Sequence, residues 1–134
     1  MKTIINNFNQ TEEVKSFENL KIWQLARNFR KEIYKVSKDF PKREDYCLSS
    51  QVRSSAISIT ANIAEGYGRY HFQEAIQFCR VARGSLNETL DHLYTAFDED
   101  YIIKEIFDDL YNKGREVERV LNGYITYLQK LNKK

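Results

Sequence analysis

From residue 103 to residue 131 the apolar positions fall alternately four and three apart without a break. They are Ile103, Phe107, Leu110, Gly114, Val117, Leu121, Tyr124, Leu128 and Leu131. That alternation draws one seam along an α-helix and cannot serve a half-buried strand, whose period is two. The spacing predicts a helix over about Ile102 to Leu131. Gly114, inside the seam, marks either a close approach of a neighbour or a local weakness. A seam this long has to be buried, so the rest of the chain must supply partners for it.

Three further helical patterns supply them. The first runs from about Asn19 to Phe40, with Ile22, Ala26, Phe29, Ile33, Val36 and Phe40 as its seam and Pro41 as its stop. The second runs from about Tyr46 to Gly66, with Asp45 as the expected N-cap. It is apolar on two sides. Leu48, Val52, Ala56, Ile59 and Ile63 form one stripe, and Ile57, Ala61 and Ala64 lie roughly opposite. A four-helix bundle needs only one of these faces, so the other predicts a contact between subunits. The third runs from about Phe72 to Phe97 through Phe72, Ala75, Ile76, Cys79, Ala82, Leu86, Leu90, Leu93 and Phe97. Arg83 falls within that stripe and requires a partner there, for which Glu65 is the candidate.

The joints near 41–45, 66–70 and 98–101 are short, which makes sequential helices antiparallel. The expected architecture is an all-α, antiparallel up-down-up-down four-helix bundle. It forms a single domain over 1–134, with a short N-terminal extension over about 1–16. One proline and five glycines are too few turn residues for a sandwich or barrel. Cys47 and Cys79 read as small buried hydrophobes in a reducing compartment. No apolar run approaches the ~18 residues of a membrane span, and the N-terminus is too polar for a signal peptide. The cytoplasm is the expected location.

Charge is unevenly spread. Residues 15–43 hold nine Lys/Arg against three acids, and residues 88–109 hold one Lys against eight acids. Arg27, Lys31, Lys35 and Lys38 share the helix face opposite the first seam, and Lys42 and Arg43 extend it. This stripe admits three readings: a surface that tracks a phosphate backbone, an ordinary solvated face, or a contact for the acidic 88–109 segment of a neighbouring subunit. Tyr67, Tyr70 and Tyr111 either stack on bases or fill core edges and interfaces.

Other constellations point away from catalysis. Arg53, Asn62, Glu65, Arg80 and Arg83 offer no nucleophile–base pair. They read better as a polar network that fixes register or oligomer state. Gly66-Tyr67-Gly68-Arg69 lacks the third glycine of a dinucleotide fingerprint and the Gly-Lys-Ser/Thr of a P-loop. It reads better as helix termination by glycine, with Arg69 left free to touch a phosphate. Di-iron bundles need Glu three residues before His. Here Thr89 precedes His92 and Gly68 precedes His71 at that spacing. No metal, no cofactor and no enzymatic activity are expected.

Several short motifs recur through these helices. They are Leu20-Lys21-Ile22-Trp23, Phe40-Pro41, Leu48-Ser49-Ser50-Gln51-Val52-Arg53, Ser58-Ile59, Asn62-Ile63-Ala64-Glu65-Gly66, Gly68-Arg69, and Ala82-Arg83-Gly84-Ser85 followed by Glu88. As a set, over roughly Phe17 to Leu128, the chain resembles the bacterial 23S rRNA intervening-sequence proteins. The resemblance implies a cytoplasmic antiparallel bundle that closes into a ring, typically a homopentamer, with no established enzymatic activity. Some genes of that family lie inside insertions in 23S rRNA genes. A related bundle, the accessory protein of diversity-generating retroelements, is a basic pentamer that binds nucleic acid and a reverse transcriptase. Two functions are therefore expected as alternatives. One is a scaffold that binds RNA or DNA, most naturally structured RNA. The other is a protein-interaction ring that recruits a polymerase or other factor without touching nucleic acid. The chain departs from the family pattern after Arg69, where Tyr70-His71 stand in place of the usual Ser or Thr. A weak cap for the third helix is the expected consequence.

Overall fold

A computed structural model describes residues 16–134. Ser16 apart, the expected N-terminal extension lies outside the described residues. After a short 3-10 turn at Phe17–Asn19 come four helices: α1 at Lys21–Ser37, α2 at Leu48–Tyr67, α3 at Phe72–Asp98 and α4 at Lys104–Asn132. Each helix packs against two others, α1 and α3 both lying between α2 and α4. Contacts climb one helix as they descend its neighbour. Ser58 meets Ser85 and Ser55 meets Thr89 across α2 and α3. Asn87 meets Arg115 and Arg83 meets Asn122 across α3 and α4. The protein is an all-α up-down-up-down four-helix bundle.

The expected seams converge on one core. Ile33 of α1, Ile59 of α2, Leu86 and Leu93 of α3 and Leu121 of α4 are wholly buried. Between α2 and α3 the packing surface is small and polar. The Ser55 and Thr89 hydroxyls lie 2.7 Å apart, with Val52 O and Ser85 O within reach as further acceptors. The Ser85 hydroxyl donates to Ser58 Oγ at 2.8 Å. Small side chains let the two backbones approach, and pairing removes the cost of burying their hydroxyls.

Gly66 is where α2 and α3 approach closely. A Cβ there would lie 2.9 Å from Phe78 Cβ and 3.1 Å from Ala75 O. No described glycine has a positive φ, so Gly68 caps the end of α2 without the left-handed turn usual for a terminating glycine. Helix α2 runs through Gly66, ends at Tyr67, and is followed by Gly68 in a right-handed conformation. Gly114 is likewise a close approach, where a Cβ would lie 2.6 Å from Leu90 Cδ2.

Other local expectations change at helix ends, where the helical period stops applying. Ile103 is the extended residue before α4 and is 62% exposed, while Ile102 turns inward to 6%. Further along α4, Ile125 joins the core and Tyr124 is only half-buried. Phe72, the first residue of α3, is exposed at the rim of a hollow shared with Leu20, Tyr67 and Tyr127. Cys47 precedes α2 and is exposed, whereas Cys79 is buried and its thiol is pushed up to about 11 by desolvation. His71 precedes α3 without a side-chain cap, as the departure at Tyr70-His71 implies.

Asp45 does not cap α2. Glu44 takes that role, its carboxylate accepting the Leu48 N–H at 3.2 Å. The other Glu44 oxygen accepts the Tyr101 hydroxyl at 2.7 Å, which ties the α1–α2 loop to the α3–α4 loop. The hydrogen bond from Tyr101, then that from Leu48, holds the Glu44 carboxyl below its ordinary 4.5. A depressed folded-state value favours the folded protein above the unfolded value. That contribution is lost as pH falls through the folded one. Thermal midpoints measured from pH 6 down to pH 3 should therefore fall more steeply for the wild type than for Glu44→Gln. Parallel curves would remove Glu44 from the acid response.

Candidate nucleic-acid interface

The residues read as one polar cluster are dispersed. Glu65 pairs with Arg69 at 2.8 Å, one turn along the same helix, and not with Arg83. Arg83 instead donates to Asn122 Oδ1 at 2.7 Å and is only half-buried, because it sits at the α3–α4 margin. Asn62 donates to the carbonyl and hydroxyl oxygens of Ser58. Arg80 is exposed, with no partner among the described residues. Arg53 belongs to the α1–α2 contact, where its Nε donates to Ser37 Oγ at 2.7 Å. The outer face of α2 is open as expected, with Ile57 and Ala61 exposed and Ala64 half-buried.

The basic stripe is brought together. Arg27, Lys31 and Lys35 on α1 and Lys38 just past its end are all exposed, and none forms an ion pair among the described residues. Arg27 rests over the Trp23 ring at 5.7 Å, which packs its stem and leaves its charge in water. Lys42 continues the stripe past the helix end, but Arg43 leans 5.8 Å over the Tyr101 ring, toward the α3–α4 loop. Arg69 is elsewhere, beyond the start of α1. It lines the hollow with Leu20 and stacks 4.8 Å over Phe78. Its carboxylate partner Glu65 offsets its charge, unlike the cations of the stripe.

Sequence reasoning missed a second ridge beside the stripe. Arg30 Nη1 donates to Thr60 Oγ1 at 2.9 Å, and Arg53 stacks 5.4 Å over Tyr34. Arg30, Tyr34 and Ser37 fall four and three apart, next to Lys31, Lys35 and Lys38. That pattern was available as a signal. Among the tyrosines, Tyr111 fills an edge, stacking on Phe107 and accepting from Arg115. Tyr70 is exposed, with only His71 against its ring. Among the described residues no group of His, Cys, Asp and Glu is arranged to hold a metal, and no helix is long and apolar enough to cross a membrane.

Fold and surface together define a four-helix-bundle protein whose first helix carries a basic face without ion pairs among the described residues. The chain belongs to the 23S rRNA-intervening sequence protein family, whose model it matches over residues 18–123. A solved structure from Bacteroides thetaiotaomicron, a protein of unknown function from the S23 ribosomal protein family, is similar in fold, with a TM-score of 0.72 at 24% identity. The likeness covers 78% of this chain and 97% of that one. No curated protein matches the chain.

Proposed function

We propose that the protein is a non-catalytic homo-oligomeric scaffold, pentameric and cytoplasmic, that holds structured RNA against the basic face of α1. The observation that carries this reading is the run of exposed cations at Arg27, Lys31, Lys35 and Lys38 with no carboxylate partner among the described residues. Unpaired cations at helical spacing can each displace a counterion from a phosphate, and a ring repeats the face. Lys42, and to a lesser degree Arg43 and Arg69, extend the contact. DNA is the competing nucleic acid.

Self-association is supported by the α2–α3 surface. Ile57 is 44% and Val81 46% exposed on either side of the Ser58–Ser85 contact. Gly84 sits mid-helix with open space where its side chain would be. Such a glycine costs the helix about 1 kcal/mol relative to alanine, and nothing among the described residues requires it. Close approach of another subunit would. Gly84→Ala should accordingly raise the stability of the isolated chain while weakening association, a pair of effects read by denaturation and sedimentation.

Sedimentation of the purified protein with a structured RNA hairpin tests the whole reading. A pentamer that carries the RNA in low salt, and less of it at physiological salt, supports it. A monomer at micromolar concentration, or RNA left behind even in low salt, defeats it. A second reading, a ring that recruits a polymerase or other protein, is favoured by the α1–α4 groove. Its apolar Val36, Ile106 and Leu110 are rimmed by Asp39, Glu105 and Asp109. A protein pulldown that survives nuclease treatment would support that reading.

A further inference from the structure

Arg30 and Arg53 are held by hydroxyls, and this separates them from most other well-anchored arginines of the bundle. Arg69, Arg115 and Arg119 each bond a glutamate, which consumes their charge along with their donors. The acceptors of Arg30 and Arg53 are Thr60 and Ser37, only 3% and 2% exposed. Their own protons are committed to backbone, Thr60 to Ile57 O and Ser37 to Tyr34 O, both at 3.0 Å. Each hydroxyl oxygen therefore meets the guanidinium as an acceptor. A buried neutral acceptor fixes a guanidinium without neutralising it. A guanidinium has several N–H donors in a planar fork, and here one each is described as used.

These two fixed cations flank Tyr34. Arg53 covers its ring, and Arg30 lines a hollow around it with Lys31, Lys35 and Lys38. Among the described residues no carboxylate lines that hollow, and none of the five cations forms an ion pair. Like charges gathered at one spot repel, and an anion seated among them relieves the repulsion. Adjacent phosphates suit the arrangement best. Arginine forks match phosphate oxygens two at a time, and lysines follow as mobile point charges.

We propose that the hollow around Tyr34 is a binding site for closely spaced phosphate groups, with Arg30 and Arg53 as its fixed donors. It deepens the RNA reading, and rests on it to the extent that the phosphates belong to an RNA backbone. A free polyphosphate presents the same chemistry.

Calorimetric titration with inorganic tripolyphosphate in low salt, followed by a structured RNA hairpin, tests the site and separates the two sources. Wild type, Arg30→Gln, Arg53→Gln and the paired-arginine control Arg119→Gln are compared. Tripolyphosphate should bind, displace the hairpin, and lose about tenfold in affinity in each of the first two variants, as loss of a charge-assisted fork implies. The control should match wild type. No binding of tripolyphosphate, or equal loss in Arg119→Gln, overturns the site. Hairpin and tripolyphosphate binding both unchanged in Arg30→Gln and Arg53→Gln overturns the site and leaves the RNA reading standing, whereas loss of tripolyphosphate alone keeps the site and assigns it to a free polyphosphate. Tripolyphosphate binding that depends on both arginines, without any hairpin binding, keeps the site and removes the RNA reading. Should Arg53→Gln fail to fold, the exposed pair Lys35→Gln and Lys38→Gln decides, and undiminished tripolyphosphate binding there counts against the site.

Discussion

Replacing Gly66 with valine should lower the stability of the bundle by roughly 3 kcal/mol, the upper part of the range for overpacking. The atoms in the way cannot move independently. Phe78 Cβ is the root of its side chain and Ala75 O is backbone, so the clash is relieved only by separating α2 from α3. Separation would also stretch the Ser58–Ser85 and Ser55–Thr89 contacts along the same interface. The gain in helix propensity on leaving glycine, at most about 1 kcal/mol, does not offset this. Gly114→Ala should be milder, because the nearest atoms there, Leu90 Cδ2 and the tip of the Phe29 ring, are the far ends of side chains rather than backbone. Urea denaturation reads both effects as a lower midpoint with an unchanged slope. A wild-type midpoint in Gly66→Val would mean that α2 and α3 are not held as closely as described.

The second large effect is on binding. The triple change Lys31→Gln, Lys35→Gln and Lys38→Gln should cost on the order of a hundredfold in RNA affinity at low salt if each lysine neutralises one phosphate. All three side chains are exposed, so stability should stay within about 0.5 kcal/mol of wild type. Fluorescence anisotropy with a labelled hairpin measures the first quantity, and thermal melting guards the second. Unchanged affinity would return the stripe to an ordinary solvated face or to a subunit contact.

The helices were legible because their signal is repetitive. The four-three spacing of Leu110, Gly114, Val117 and Leu121 recurs too often to be accidental, and each of those residues is buried. Errors gathered where repetition stops. Ile103 looked like the first seam residue, yet it precedes the helix and faces solvent. Asp45 had the right residue type for a cap, but the Glu44 carboxylate reached Leu48 first. Pairings between helices were harder still. Arg83 and Glu65 lie on antiparallel helices joined by a tight turn, but partner choice depends on the rotation of each helix about its axis. That rotation gave Arg83 to Asn122 and Glu65 to Arg69.

The candidate site divides in the same way. The stripe from Arg27 to Lys38 followed from spacing alone, since exposed residues on one helix keep their order. Arg30 and Arg53 did not, because their roles depend on hydroxyls carried by other helices. Ser37 and Thr60 looked like generic small residues until the fold placed them beneath the two guanidiniums. The resemblance to the family, read from scattered motifs, is now matched by the family model over residues 18–123.

The most direct test of the central claim is the salt dependence of hairpin binding, measured side by side for the wild type and the triple lysine variant. If α1 grips phosphates, the logarithm of affinity should fall linearly with the logarithm of salt concentration. The variant's line should be shallower by roughly 2–3 units, somewhat under one per lost contact. Two parallel lines, or a wild type that ignores salt, would contradict a nucleic-acid role for this face.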